Sequence, residues 1–203
     1  MNDRLKGQLD FLTEADKMKS ILRQTLLIDQ SRRENDAEHS WHFALMAMTL
    51  AEYTPFEINL DRVIRMALVH DLVEIYAGDT FAYDTAGYQS KEERENNAAD
   101  QLFSLLPHEQ GCSYRALWEE FDAMQTSDAI YASAVDRLQP FINNALTDGH
   151  TWVQHGVTVD KIYKRMAVVK EALPALWGYV VDVINENLLS GRIKPDPETD
   201  LCS

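Results

Sequence analysis

Apolar residues return at helical spacing along nearly the whole chain, and no pair of alternating runs is joined by an Asn-Gly or Asp-Gly turn. Such spacing leaves room for helices and little else, so the expected fold is all-α. A length of 203 residues suits one domain with a core of its own, spanning residues 1–203.

The spacing predicts a first helix over about Leu9–Leu27, with Leu12, Ala15, Met18 and Leu22 in an apolar stripe crossed by Lys19, then a polar turn, IDQSRREN. Asn35 or Asp36 caps a second helix reaching about Tyr53, where Trp41, Ala44, Leu45, Met48 and Ala51 repeat as the apolar face. A third starts near Asn59 or Asp61, runs through Val63, Ile64, Met66, Ala67, Leu68 and Val69, and stops at Gly78. Its apolarity implies a central, buried helix. Residues 78–90 have turn chemistry and no period, which marks them as a lid or pocket wall. Ser90 to Glu93 reads as a capping box opening a helix to about Pro107. Further helices are expected over about Ser113–Met124, from Asp128 through Ala145, over 158–172 and over 174–189, with a frayed tail from Lys194.

Lysine and arginine total 19 against 33 acidic residues, a formal net charge of -14. The resulting field repels nucleic acid and anionic membrane, so neither is an expected partner, and an anionic substrate needs a local cluster of cations. Cys112 and Cys202 form no CxxC spacing, which excludes ribbon-type zinc and dithiol redox chemistry. The first twenty residues are charged throughout, and no stretch approaches about 18 uninterrupted apolar residues. A soluble protein in the reducing cytoplasm is expected.

His39, His70, Asp71 and Asp136 together offer two imidazoles and two carboxylates, a mixed set that suits one divalent metal used in hydrolysis. A His-Asp dipeptide alone is weak evidence, so context decides. At about 100° per residue, His70, Asp71 and Glu74 share one turn of the most apolar helix. Buried there, they would concentrate negative charge at a cost of several kcal/mol unless a cation or hydrogen-bonding partners compensate. His42 lies some 60° around its helix from His39 and ranks as a support behind the ligands or as pocket lining rather than as a ligand. Asp136 falls on the side of its helix carrying Ala129, Ala132 and Asn143, small enough for other helices to come close. Arg23, Arg33 and Lys91 are the cations expected to hold phosphate, Lys91 at a helix N-terminus.

The segments ENDAEHSWHFALMAM, RMALVHDLVEIYAGDT and SAVDRLQPF resemble the H…HD…D pattern of the HD-domain metal-dependent phosphohydrolases, most closely the branch that includes bacterial 5′-deoxynucleotidases. The resemblance spans roughly residues 20–146, with helices over 158–190 packing on it. It implies an all-α HD domain, a homodimer, and one divalent ion (Mn, Co, Mg, Zn, Ni or Fe) bound by His39, His70, Asp71 and Asp136. Glu74 and Asp79 match the acidic residues that, with Asp71, handle the attacking water and its proton. The implied substrate is a small phosphomonoester, above all a (deoxy)nucleoside 5′-monophosphate; the alternative is a metal-binding, nucleotide-sensing module with little turnover. Where the nucleotidases carry an Arg-Trp pair, this chain reads Arg23-Gln24-Thr25.

Overall fold

The computed structural model describes residues 2–83 and 90–196. Helix α1 (Asp3–Ala15) is capped by the Asn2 side chain, which accepts from the Leu5 amide at 2.8 Å. It stops well short of Leu27. A 3-10 turn over Asp16–Ser20 leads into strand β1 (Leu22–Leu26), antiparallel to β2 (Arg33–Asn35). This hairpin corrects the all-helical expectation for the region. Its turn uses Gln30 at φ 60° and an Asp29 carboxylate accepting from the Ser31 amide at 3.0 Å, chemistry that carries no Asn-Gly signal. The stripe assigned to the first helix is likewise displaced: Phe11 and Met18 are buried, whereas Leu12 and Leu22 are exposed.

Helix α2 (Asp36–Leu50) opens on a capping box between Asn35 and Glu38. It buries Asp36, His39, Ser40, Phe43 and Ala47, at helical spacing. Of the stripe expected to face the core, Trp41, Leu45 and Met48 are instead 64, 45 and 54% exposed. Both faces of α2 carry apolar residues, and the polar ones are needed inside.

Helix α3 (Leu60–Val69) is capped by Asn59 and turns Val63, Met66, Ala67 and Val69 inward; Leu68 is exposed. The expected single helix to Gly78 is broken at His70–Val73, and α4 (Glu74–Ala77) follows. Gly78, at φ 78°, turns the chain out of α4. Helix α5 (Lys91–Phe103) has Ser90 at its N-cap without a side-chain cap bond, so the capping box is not formed; Ser90 Oγ accepts from Arg94 instead. Residues 84–89 of the expected lid lie outside the described residues.

Helix α6 (His108–Ala123) starts earlier than its apolar period, and α7 (Ser127–Leu146) is capped by Thr126. Helix α7 is the axis of the fold, packed against α9, α3, α2 and α6. Short α8 (His150–His155), absent from the sequence reading, sits between left-handed Gly149 and Gly156. Helices α9 (Val159–Ala172) and α10 (Trp177–Leu189) close the described chain. The tail does not fray at Lys194: its amide donates to Val157 O at 3.0 Å, and Asp196 accepts from the Asp160 amide at 2.9 Å. Phe43, Met66, Leu102, Leu138 and Ile162 are fully buried, and each contributes about 1.5–3 kcal/mol. Among the described residues no helix is long and apolar enough to cross a membrane.

Candidate metal centre

The helix break at His70 shapes the centre. Val63, Met66 and Ala67 set an inward stripe, and His70, one turn on, continues it as the chain leaves the helix. Its Nδ1 lies 3.0 Å from Ala67 O, which turns Nε2 away from the backbone. The Phe43 and Phe121 rings meet the imidazole edge-on at 5.2 and 4.9 Å and fix its plane. From α2, His39 is fully buried with its Nδ1 2.9 Å from Gln139 Oε1. From α7 comes Asp136, between buried Ala129, Ala132 and Asn143.

These residues converge. His39 Nε2 lies 2.9 Å from Asp136 Oδ1 and 3.8 Å from Asp71 Oδ2; His70 Nε2 lies 3.1 Å from Asp71 Oδ2 and 3.6 Å from Asp136 Oδ1. His70 Nε2 is buried yet makes no hydrogen bond. Burial alone would depress the His70 pKa, but Asp71 and Asp136 outweigh it and hold it at about 10. Nitrogens of His39 and His70 and an oxygen of Asp136 lie within 4.8 Å of one another, as do oxygens of Asp36, Asp71 and Glu74. Asp71 Oδ2 also reaches both imidazoles. Protonated imidazoles or a bound cation satisfy such facing groups. Two neutral imidazoles and two carboxylates fit a divalent transition metal.

Beside the four lies a chamber of about 260 Å³, lined by Arg23, Asp71, Glu74, Asp79, Lys91 and Arg137 among others. Arg23 of β1 donates to Asp71 Oδ2 at 2.6 Å and to Asp36 Oδ1 at 3.3 Å. Asp36, first residue of α2, is fully buried, with Oδ2 unpartnered; burial, then Asp71, pushes its carboxyl up to about 7. Glu74 is driven well above the usual carboxylate range by burial and by Asp71 and Asp36, and its Oε2 also lacks a partner. Burial likewise raises Asp79, against the pull of Arg23. A wider recess of about 550 Å³ shares Gln24, Asp79, Thr80, Phe81 and Tyr83 with the chamber and adds Arg94, His155 and Lys161.

The structure thus brings together His39, His70, Asp71 and Asp136, with Glu74, Asp79, Arg23 and Lys91 at the adjoining wall. Arg33 is absent from the chamber lining, although its charge reaches Asp79: that guanidinium clamps the hairpin by donating to Arg23 O and, at 2.8 Å, to Leu22 O. Lys91 faces the chamber while 3.5 Å from Glu95. His42 touches Gln139, not the converging atoms. Sequence reasoning missed Asp36, Gln139 and Arg137. The first two stand three residues from His39 and Asp136, on their inward faces, and that spacing was the available signal.

An HD-domain family model matches residues 15–177. The crystal structure of a predicted metal-dependent phosphohydrolase from Magnetospirillum magnetotacticum MS-1 is 50% identical, covers 95% of this chain and 97% of that one, and superposes with a TM-score of 0.90. An HD-domain phosphohydrolase from Listeria innocua, 18% identical with a TM-score of 0.55 over 91% of this chain and 89% of that one, shares the fold. The 5′-deoxynucleotidase HDDC2 of Homo sapiens is 30% identical over 135 residues, 66% of this chain and 65% of that protein, so the match spans just under two thirds of that relative's length. Matched by the family model over most of its length, this chain belongs to the HD domain family.

Proposed function

We propose that this protein hydrolyses small phosphomonoesters, (deoxy)nucleoside 5′-monophosphates foremost, with one divalent metal ion held by His39, His70, Asp71 and Asp136. The observation that carries the reading is the convergence of their ligand atoms, with neighbouring pairs 2.9–3.8 Å apart, beside a chamber that also holds Arg23 and Lys91. Similarity to a 5′-deoxynucleotidase and to a predicted metal-dependent phosphohydrolase supports it.

A bound divalent ion would supply Lewis-acid chemistry, lowering the pKa of a water so that it can be deprotonated for attack near neutral pH and placing positive charge against the phosphoryl oxygens. Asp71 and Glu74 orient that water by accepting its hydrogen bonds. Asp79 assists proton transfer, acting on the nucleophile or on the leaving oxygen. Arg23 and Lys91 take the phosphate oxygens, joined by Arg137, which lines the same chamber. Arg33, committed to the hairpin carbonyls, has no part in this set. The recess beyond Phe81 and Tyr83 accommodates the organic part of the substrate. An exposed thiol at Cys112 suits a reducing, cytoplasmic setting. A homodimer belongs to the same reading, with Trp41, Leu45 and Met48 as the apolar face a second copy would cover.

Phosphate release from a panel of nucleoside monophosphates tests the activity. Chelation should abolish release and Mn²⁺ or Co²⁺ restore it; metal-stripped protein that keeps its rate, or no release from any monophosphate, refutes the reading.

A further inference from the structure

Behind the metal centre, the hairpin and α7 meet in a set of buried polar groups that the chemistry above leaves unused. Gln139 is fully buried, and its amide is surrounded: Oε1 lies 2.9 Å from His39 Nδ1, while Nε2 lies 2.7 Å from Glu34 Oε1 and 3.2 Å from His42 Nδ1. The two ends of an amide are nearly the same shape, so its orientation needs a chemical reason. Glu34 supplies one. A carboxylate oxygen accepts hydrogen bonds and donates none, so the NH₂ end of the amide must face it. The reverse orientation would set two acceptors against each other away from water.

Glu34 is itself fastened. It sits on β2, 2% exposed, with Thr25 Oγ1 of β1 donating to its Oε2 at 3.4 Å. With the NH₂ end committed, Oε1 is left for His39, and an amide oxygen only accepts. Nδ1 of His39 must therefore carry a proton. Its Nε2 then faces Asp136 and Asp71, at 2.9 and 3.8 Å.

We propose that Glu34 and Gln139 are positioning residues that fix His39 as the Nδ1-protonated tautomer and so present its Nε2 as a metal ligand. This rests on the reading that His39 binds the metal. His70 needs no such help, because Ala67 O of its own helix takes its Nδ1. The two imidazoles are thus oriented by different means, and His39 is the ligand whose strength can be altered without touching another ligand.

Calorimetric titration of metal-stripped, full-length variants with Mn²⁺ or Zn²⁺ alone tests the proposal. Gln139→Met keeps the side-chain length and removes the acceptor; it should weaken metal binding about 10- to 100-fold, while melting of the metal-free chain reports that the fold persists. Exchanging the pair, Glu34→Gln together with Gln139→Glu, again puts an acceptor against Nδ1 and a donor behind it, and should recover most of the lost affinity. A purely structural role for these residues does not produce that rescue. Should the single variant fold poorly, long-range ¹H–¹⁵N spectra of Zn²⁺-loaded wild-type protein report the tautomer directly, with His39 Nδ1 protonated and Nε2 metal-bound. Metal on Nδ1, or full affinity in Gln139→Met while His39→Ala loses it, overturns the proposal. If His39→Ala also keeps full affinity, the ligand assignment falls first and the positioning role with it.

Discussion

Helices α2 and α7 each bring one ligand candidate to the centre, from opposite kinds of surroundings. Helix α7 is enclosed: Ala129, Tyr131, Ala132, Ala134 and Val135 have no exposure, and neighbours press on it from several sides. Its small residues let those neighbours approach closely enough for a side chain as short as Asp136 to meet imidazoles from elsewhere. Helix α2 is enclosed on one side only, with Phe43 and Ala47 beside His39 within and Trp41, Leu45 and Met48 without. In α7 enclosure on several sides buries polar Ser133, Gln139 and Asn143 along with the apolar residues. In α2 one face alone is enclosed, and its inward positions include Asp36 and His39, which serve the centre, while large apolar side chains stay outside.

That contrast can be tested by substitution. The largest effect is expected at Phe43, on the inward face of α2, where the ring braces His70: Phe43→Ala should cost about 3–5 kcal/mol of unfolding free energy and loosen metal binding, measured by denaturant melts and metal titration. A loss under about 1 kcal/mol would mean that α2 is not anchored there. Next comes overpacking of α7. Ala132→Leu should cost about 1–3 kcal/mol, and a neutral result would show that α7 is less tightly enclosed than its burial indicates. The smallest change in chain stability, within about 0.5 kcal/mol, is expected from Leu45→Ser on the outer face of α2. Light scattering of the same variant should show a shift from dimer toward single chain; an unchanged mass would remove α2 from the proposed interface.

Much of this was legible in the sequence where residue type and spacing agreed. His70, Asp71 and Glu74 stood out because charge was packed into an apolar run, and Asp136 because its face was small. Other features left no such trace. The break after Val69 involves no Pro or Gly, so a helical period ran straight through it. The β1–β2 hairpin turns on Gln30 in a left-handed conformation, and Leu22 and Leu26 keep helical spacing within a strand. Arg33 read as a phosphate ligand from its charge and its nearness to His39, yet strand geometry aims it across the hairpin at carbonyls. Asn35 or Asp36 reads as the cap of the second helix, and the burial of Asp36 against Arg23 depends on a strand where the spacing predicts a helix.

The hairpin also limits how this chain can change length. The ladder is irregular between its ends, with Leu22 opposite Asn35 and Leu26 opposite Arg33, and a further shift of one residue would turn inward side chains outward. Arg23, Thr25 and Glu34 would leave the interior together, taking with them a contact to Asp71 and the support behind His39. The exposed tip around Ser31 is free of that constraint. Insertions and deletions are therefore tolerable at the tip and ruinous within β1 or β2, although neither strand contains a metal ligand.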